Sequence, residues 1–495
     1  MENPRSRRRP ILCFLVDPIT TILVDSNAMR RYLIFVSAGL GLLMYTIDAT
    51  AVAVAFPHLM RELHTNVLWA GWTISIYYIG VTIAMPLAGN LSDTFGRKKV
   101  FLISLIFFTG SSLACGLATN IHMLIAFRFL QGIGGASFLP TAAGIVSEQF
   151  PENRESAIGL FTSIFPIGGI IGPNLGGWIV SQYSWRYIFY INLPIGIVLI
   201  SLITILLHDE RVSSRPNIDF TGAAFFFGAI LFLMLGLNHF AENFSIFSFF
   251  LAALLLGICV FFLYLFFRQE KKASNPILDM ALLRSKPFFA ANLFNMIIGA
   301  GVFGIFAFIP LYAVSVQKLT ILASGMILTP RSIGIISASA LTSFLLKRWG
   351  YRRPIVLGLI LVSFSTILLG DQGFQLFSIL GIHMGVTESL LIVIMVTGIG
   401  LGILLPASNN ACIELMPEKV ATITGLRGMF RSVGGVCGIS LITIILHLSS
   451  TPARGFRTVF IGFGFGLLLA IPLSFLLPAG RKGRDQRLPP EFTVE

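Results

Sequence analysis

Two charged residues stand inside long apolar stretches, Asp48 in one and Arg128 in another. A carboxylate in hydrocarbon is expensive, so an acid in this position indicates a function. Burial raises the pKa of a carboxyl group, and a nearby cation lowers it. If both side chains share one cavity, they could take up a proton on one side of a membrane and release it on the other. The alternatives are an Asp48 that packs between helices, satisfied by Thr46, Thr50 or a backbone group, and an Arg128 that snorkels to the interface.

Other polar side chains in apolar stretches are candidates for a central cavity. Arg331 follows Pro330 about halfway along its stretch and either lines the cavity or meets a lipid headgroup. Arg427 and Arg431 are four residues apart, share one helical face and are expected to snorkel to the membrane surface. The remaining cavity candidates are uncharged: Tyr45, Tyr77, Tyr78, Gln131, Asn292 and Asn295.

The segment around Pro173 concentrates small residues on one predicted helix. It contains Gly168, Gly172, Gly176 and Gly177. Small residues let membrane helices approach closely, and a proline removes a backbone donor and bends the helix. We interpret the segment as a packing and hinge element, with packing alone as the alternative.

The residue patterns of enzymes and cofactor sites are not found. The five cysteines and seven histidines have no metal-ligand spacing, so we expect no metal site. No phosphate-binding Gly-x-x-x-x-Gly-Lys loop is present, and no nucleophile–base arrangement is recognisable. We therefore expect neither an enzyme nor a cofactor.

The elements that must position these residues are membrane helices. The chain is 55% hydrophobic and only 12% charged, too few charges to coat a soluble surface. Apolar stretches of about 20 residues, the length that crosses hydrocarbon, recur along it. In lipid, backbone groups must bond internally, so these stretches are helices. We predict fourteen spans: 32–56, 67–91, 99–118, 121–147, 155–180, 187–207, 217–238, 245–267, 288–315, 321–346, 354–370, 387–413, 420–448 and 456–478.

The distribution of basic residues predicts the orientation of these spans. With the N-terminus in the cytoplasm, most of the 35 Lys and Arg residues fall in cytoplasmic loops, as the positive-inside rule requires. This pattern places both termini in the cytoplasm and argues against nucleic-acid binding as the reason for the net charge of +13. The opposite side receives only Arg61, Arg186, Lys318, Arg454 and Arg457.

An internal repeat divides the chain into halves. Residues 131–172 align without a gap with residues 397–438 at an offset of 266, and residues 91–99 resemble residues 345–353 at an offset of 254. A six-helix half is shorter than this offset, so the surplus holds two further spans. We predict a basic tail (1–31), an N-terminal half (32–207), two inserted helices with flanking loops (208–287), a C-terminal half (288–479) and a second tail (480–495). Repeated halves of this kind are typical of secondary transporters, with the substrate site between them.

Several motifs, in the expected order, resemble the major facilitator superfamily, and specifically its fourteen-span drug–proton antiporter branch. Residues 89–99 resemble the loop signature between spans 2 and 3, residues 128–134 the span-4 signature, and residues 168–177 the antiporter signature of span 5. Residues 45–57, 217–222 and 278–288 resemble elements of the fourteen-span branch. The resemblance implies a gating latch formed by Gly89, Asp93, Gly96 and Arg97, pairing across the interface between the halves.

The resemblance also implies a function. We expect a multidrug efflux permease in the inner or plasma membrane that exchanges protons for amphipathic or cationic drugs and uses the proton gradient instead of a cofactor. The sequence leaves open whether a periplasmic adaptor is a further partner. The alternatives are a dedicated exporter of one lipid, siderophore or antibiotic, and a scaffold or sensor that transports nothing.

Overall fold

The computed structural model describes residues 26–207, 219–242, 246–273, 285–371, 384–415 and 420–478. The described residues form helices joined by short turns. The α-helices are Ser26–Ala51, Phe56–Glu62, Val67–Phe95, Arg97–Gly116, Ile121–Gly135, Phe138–Gln149, Arg154–Thr162, Ile164–Gln182, Tyr187–Tyr190, Asn192–Leu206, Phe220–Glu242, Ile246–Glu270, Lys286–Ile298, Ile305–Ser315, Ile321–Met326, Thr329–Trp349, Arg352–Leu369, Val386–Leu415, Val420–Leu448, Pro452–Leu468 and Ile471–Ser474. Short 3-10 turns cover Val52–Ala55 and Pro151–Asn153, and a π-helix covers Gly299–Gly304.

Within the described residues, fourteen helical stretches are long and apolar enough to cross a membrane, which confirms the predicted number of spans. We number them span 1 to span 14: Met29–Glu62, Val67–Met85, Arg97–Gly116, Ile121–Gln149, Ala157–Gln182, Tyr187–Leu206, Phe220–Leu237, Phe247–Glu270, Lys286–Ser315, Ile321–Leu346, Arg352–Leu369, Val386–Leu415, Leu426–Leu448 and Pro452–Ser474. The first helix begins at Ser26, inside the predicted tail. Most of both predicted tails and of the loops flanking the inserted spans lie outside the described residues.

The internal repeat has a counterpart in helix packing. In the first copy, Gly172 of span 5 lies against the backbone of Ile47 in span 1. In the second copy, the aligned Gly438 of span 13 lies against the backbone of Ala300 in span 9. A Cβ atom at either glycine would overlap its neighbour, so the helices touch through their backbones.

A second pair of aligned glycines makes matching contacts with other spans. Gly132 of span 4 lies against the backbone of Tyr77 in span 2, and Gly398 of span 12 lies against that of Arg331 in span 10. Tyr77 and Arg331 are 254 residues apart, the offset of the second sequence echo. The two side chains therefore project from equivalent positions of the two halves.

The two halves meet close to the end of the molecule that carries the loop between spans 1 and 2. There Gly71 of span 2 lies against Thr443 of span 13, and the rings of Phe56 and Phe308 lie 5.5 Å apart. Gly325 of span 10 meets the backbone of Pro173 in span 5. These contacts close the interface between the halves on this side.

The inserted spans 7 and 8 pack against each other and against the outside of the bundle. Gly236 of span 7 accommodates Leu256 of span 8, and Phe227 of span 7 stacks on Phe129 of span 4 at 4.9 Å. Ile230 and Met234 of span 7 also lie in one buried cluster with Ile76 of span 2 and Val436 of span 13, so the insertion contacts both halves from the side.

Candidate functional site

Asp48 and Arg128 form an ion pair in the interior of the N-terminal half. Nη1 of Arg128 lies 2.6 Å from Oδ2 of Asp48, and both side chains have no exposed surface. Asp48 comes from span 1 and Arg128 from span 4. The sequence predicted that the two residues could interact, and the structure brings them together.

Two amide side chains complete the surroundings of the carboxylate. Nε2 of Gln131 and Nδ2 of Asn192 each donate a hydrogen bond of 2.9 Å to Oδ1 of Asp48. Oε1 of Gln131 also accepts from Nη1 of Arg128 at 2.8 Å. Both carboxylate oxygens are therefore bonded, as a buried charge requires.

Sequence reasoning missed Asn192 and its partner Ser112. Nδ2 of Asn192 lies 2.9 Å from Oγ of Ser112, which donates to the carbonyl oxygen of Phe189. An asparagine at the start of an otherwise apolar span was the available signal, because buried polar groups are bonded to something.

The guanidinium of Arg128 is held on its other sides by span 2. Its Nε donates to the carbonyl oxygen of Thr73 at 3.1 Å, and its Cζ lies 4.0 Å from the ring centroid of Tyr77. Span 2 comes this close because Gly80 lies against the backbone of Phe129 on span 4. The packing of two helices through small residues thus fixes the position of the cation.

A second group of charged residues lies toward the C-terminal half. The Cζ of Arg331 lies 4.3 Å from the ring centroid of Phe306, and the Cζ of Arg431 lies 5.2 Å from that of Phe303. Tyr78 of span 2 stacks on Phe303 at 5.8 Å with nearly parallel rings. Arginines from spans 10 and 13 thus approach one stretch of span 9, facing an aromatic side chain from the other half.

The expectation that Arg427 and Arg431 snorkel is wrong. Arg427 is 9% exposed, and its guanidinium donates to the side-chain oxygens of Asn295, at 3.0 Å, and of Asn409. Arg431 turns toward the ring of Phe303 in span 9. Span 13 packs on span 9 with this face, so both side chains point into the protein instead of toward its surface.

The predicted cavity candidates separate into two groups. Gln131, Asn292 and Asn295 are at most 4% exposed, and each bonds within its own half. Tyr45 and Tyr77 are also buried and lie ring to ring at 6.1 Å. Tyr78 and Arg331 retain accessible surface.

The residues of the predicted latch are only partly brought together. Arg97 pairs with Glu148 at the end of span 4, 2.8 Å away, and so contacts its own half. Gly96 has φ of 91°, a conformation that favours glycine and turns the chain between spans 2 and 3. Gly89 has no neighbour within 4 Å of the position of a Cβ atom. Asp93 lies in the helix Val67–Phe95, but its side chain is outside what the structure describes.

The glycines of span 5 face two different neighbours. Gly168, Gly172 and Gly176 lie against span 1, on residues just before and after Asp48. Gly177 and the backbone of Pro173 lie against span 10 of the other half. Span 5 therefore connects the helix that carries the buried acid to the interface between the halves.

A bundle of fourteen membrane-crossing helices, with repeated halves and a buried ion pair inside the N-terminal half, is typical of a secondary membrane transporter. The sequence profile of the Major Facilitator Superfamily matches residues 38–222 and 332–493. The chain belongs to this superfamily, as predicted from its motifs. It is accordingly a transporter and not an enzyme.

Curated relatives resemble the chain over most of its length. It is 29% identical to "Multidrug transporter protein MdtP" of Bacillus subtilis, over 86% of this chain and 77% of the relative. It is 30% identical to "Multidrug resistance protein 3" of the same organism, over 82% of this chain and 78% of the relative. It is 27% identical to "Tetracenomycin C resistance and export protein" of Streptomyces glaucescens, over 84% of this chain and 76% of the relative.

Solved structures confirm the fold. The nucleoside transporter NupG matches with a TM-score of 0.66 at 14% identity, covering 90% of this chain and 100% of that one. A D-xylose-proton symporter matches with a TM-score of 0.63 at 14% identity, covering 90% and 98%. Because the sequence identity is low, these similarities show that the folds are alike and nothing about the substrate.

Proposed function

We propose that this protein is a proton-coupled antiporter that exports amphipathic drugs by alternating access. The buried pair of Asp48 and Arg128 carries the proposal. Two relatives from Bacillus subtilis, one named as a multidrug transporter protein and one as a multidrug resistance protein, support drugs as the transported class. The outward direction is supported by a relative named as a resistance and export protein, and the proposal places both termini in the cytoplasm of a plasma membrane.

Protonation of Asp48 would change the stability of its surroundings. A neutral carboxyl would leave the guanidinium of Arg128 buried without its counter-ion, and breaking a buried pair in this way costs about 3–5 kcal/mol. The side chains would regain stability by moving to a conformation in which Arg128 finds water or another acceptor. Binding of a proton would thereby favour one conformation of the transporter, and release of the proton the other.

Span 5 is the proposed route from the acid to the interface between the halves. Its Gly168 and Gly172 lie against the helix that carries Asp48, and Gly177 lies against span 10. A small movement of span 1 would displace span 5 at this interface, with Pro173 as the point where the helix bends. The pair of Arg97 and Glu148 would act at the opposite end of the N-terminal half as part of the latch.

The membrane potential supplies enough energy for this exchange. Moving one charge across 100 mV yields about 2.3 kcal/mol, and the chemical gradient of protons adds to it. One proton per cycle would therefore support about a fiftyfold gradient of a neutral drug from the potential alone.

Transport by purified protein in proteoliposomes tests the proposal. A panel of amphipathic dyes is offered with and without an imposed proton gradient, and exchange of dye at equilibrium is measured separately. We expect gradient-driven accumulation by the unsubstituted protein. Asp48→Asn should abolish accumulation but retain equilibrium exchange, because exchange moves no net protons.

Glu62→Gln is the matched control. Glu62 is the other acid of span 1, and its pair with Arg186 is partly exposed at the end of the helix. This variant should accumulate dye normally. Undiminished accumulation by Asp48→Asn would contradict the role of Asp48, and absence of flux by the unsubstituted protein for every dye would contradict the function. A panel in which one compound is transported and all others are rejected would instead favour a dedicated exporter.

A further inference from the structure

Two arginines of the C-terminal half approach the central interface from different spans. Arg331 in span 10 and Arg431 in span 13 lie over the rings of Phe306 and Phe303, which belong to one stretch of span 9. Tyr78, from span 2 of the other half, stacks on the same Phe303 with ring centroids 5.8 Å apart. The cations, rings and phenol therefore border one region between the halves.

This region holds more positive charge than the neighbouring side chains balance. Nε of Arg331 and Nε of Arg431 are both buried and have no hydrogen-bond acceptor among the described residues. Neither arginine has an ion pair within the described part of the chain. The one acid deep in a described span, Asp48, is already paired with Arg128. A buried guanidinium without a counter-ion is strongly unfavourable.

Both arginine side chains nevertheless keep accessible surface. Arg331 and Arg431 are half-buried. Part of each side chain is therefore accessible, although its Nε is sealed. A guanidinium presents a planar fork of N–H donors that matches a carboxylate, a sulfonate or a phosphate.

The repeat indicates that packing does not require arginine at these positions. At the offset of 254, Arg331 corresponds to Tyr77, and at the offset of 266, Arg431 corresponds to Phe165. The supporting backbone contacts at Gly132 and Gly398 are the same in both halves. Equivalent sites thus carry aromatic rings in the first half and cations in the second.

We propose that Arg331 and Arg431 bind the anionic group of the exported molecule, so that the transported class is amphipathic organic acids and not organic cations. The apolar part of the molecule packs on Tyr78, Phe303 and Phe306. This inference rests on the proposed function, since it assigns the substrate class of the same central region. The fixed protein charge attracts an anion and repels a cation of equal size.

Equilibrium binding of two matched dyes tests the assignment independently of transport. Fluorescein and rhodamine 123 share one ring system, but fluorescein is anionic and rhodamine 123 is cationic. Each is titrated into the purified full-length protein in nanodiscs of phosphatidylcholine. We expect fluorescein to bind more tightly, and Arg331→Gln and Arg431→Gln each to weaken its binding at least about tenfold, the loss of one charge-assisted hydrogen bond.

Two further variants separate binding from folding. Arg331→Lys keeps the charge and should retain part of the affinity, and Arg457→Gln removes an exposed arginine near the start of span 14 and should change nothing. Thermal unfolding of each variant in the same nanodiscs reports whether it is folded. Tighter binding of rhodamine 123 by the unsubstituted protein, or equal fluorescein affinity in folded Arg331→Gln and Arg431→Gln variants, would overturn the proposal.

Two more arms identify the source of the anion and separate this inference from the proposed function. If phosphatidylglycerol in the nanodiscs displaces fluorescein from the unsubstituted protein but does not displace it from the arginine variants, the anionic group is a lipid headgroup. If it does not, the ligand is a soluble amphipathic acid. In proteoliposomes, gradient-driven flux of rhodamine 123 but not of fluorescein would contradict the proposed substrate class and still support proton-coupled export. Binding of fluorescein without flux of either dye would contradict export and support the anion site.

Discussion

Nη1 of Arg128 and Oδ2 of Asp48 lie 2.6 Å apart, although the two residues are 80 positions apart in the chain. Both side chains are sealed from solvent in this conformation. A proton therefore reaches Asp48 only when the surrounding helices move. Under the proposed function, this arrangement would couple access of the proton to the conformation of the N-terminal half.

Replacing Asn192 by Leu should destabilise the protein without removing any charge. The carboxylate of Asp48 would lose the amide donor at 2.9 Å, and the missing bond should lower the free energy of unfolding by about 1–3 kcal/mol. Unfolding by denaturant in one detergent measures the change. Asn410→Leu, at an exposed position of span 12, is the control and should stay within about 0.5 kcal/mol. Equal stability of the two variants would contradict the importance of the bond.

A larger side chain at Gly325 should force the halves apart. A Cβ atom there would overlap the backbone oxygen of Pro173, and the added methyl groups of valine cannot be accommodated without moving span 10 away from span 5. We expect Gly325→Val to increase the distance between spin labels at Ser181 and Lys318, measured in a background without the native cysteines. Gly110→Val, where no atom lies within 4 Å of the added Cβ atom, should leave the distance unchanged. An unaltered distance in Gly325→Val would show that the contact does not hold the halves together.

The pair of Arg97 and Glu148 should matter more for the rate of transport than for stability. Their side chains are 25% and 34% exposed, and exposed ion pairs contribute about 0–1 kcal/mol. Arg97→Glu should slow gradient-driven dye transport in proteoliposomes, and the exchanged pair Arg97→Glu with Glu148→Arg should recover part of the rate. Failure of the exchanged pair to improve on the single variant would argue against an ion pair as the functional contact.

Arg427→Gln should be strongly destabilising, in contrast to the effect expected of a snorkelling arginine. The guanidinium of Arg427 bonds the amide oxygens of Asn295 and Asn409, which would be left unsatisfied in the protein interior. Hydrogen bonds to charged groups contribute about 1.5–3 kcal/mol each, and thermal unfolding measures their loss. Arg454→Gln, at an exposed position, is the comparison and should have little effect. Similar melting temperatures for both variants would contradict the buried position of Arg427 and favour a side chain that snorkels to the membrane surface.

The sequence by itself determined the class of the protein. Hydrocarbon imposes one length and one backbone geometry on every span, so hydropathy alone predicted fourteen helices. Glycines shared by the two copies of the repeat predicted close packing, and Gly172 and Gly438 do contact equivalent helices. The cost of an acid in hydrocarbon also singled out Asp48 from its sequence position alone.

Tertiary structure decided which polar groups meet. The direction of Arg427 and Arg431 depends on the rotation of span 13 against span 9, and a run of apolar residues on all sides of a helix does not specify that rotation. For the same reason the sequence did not reveal that Asn192 bonds Asp48, or that Arg97 pairs within its own half. Membrane insertion follows from composition along one helix, whereas the partner of a buried charge follows from the packing of several.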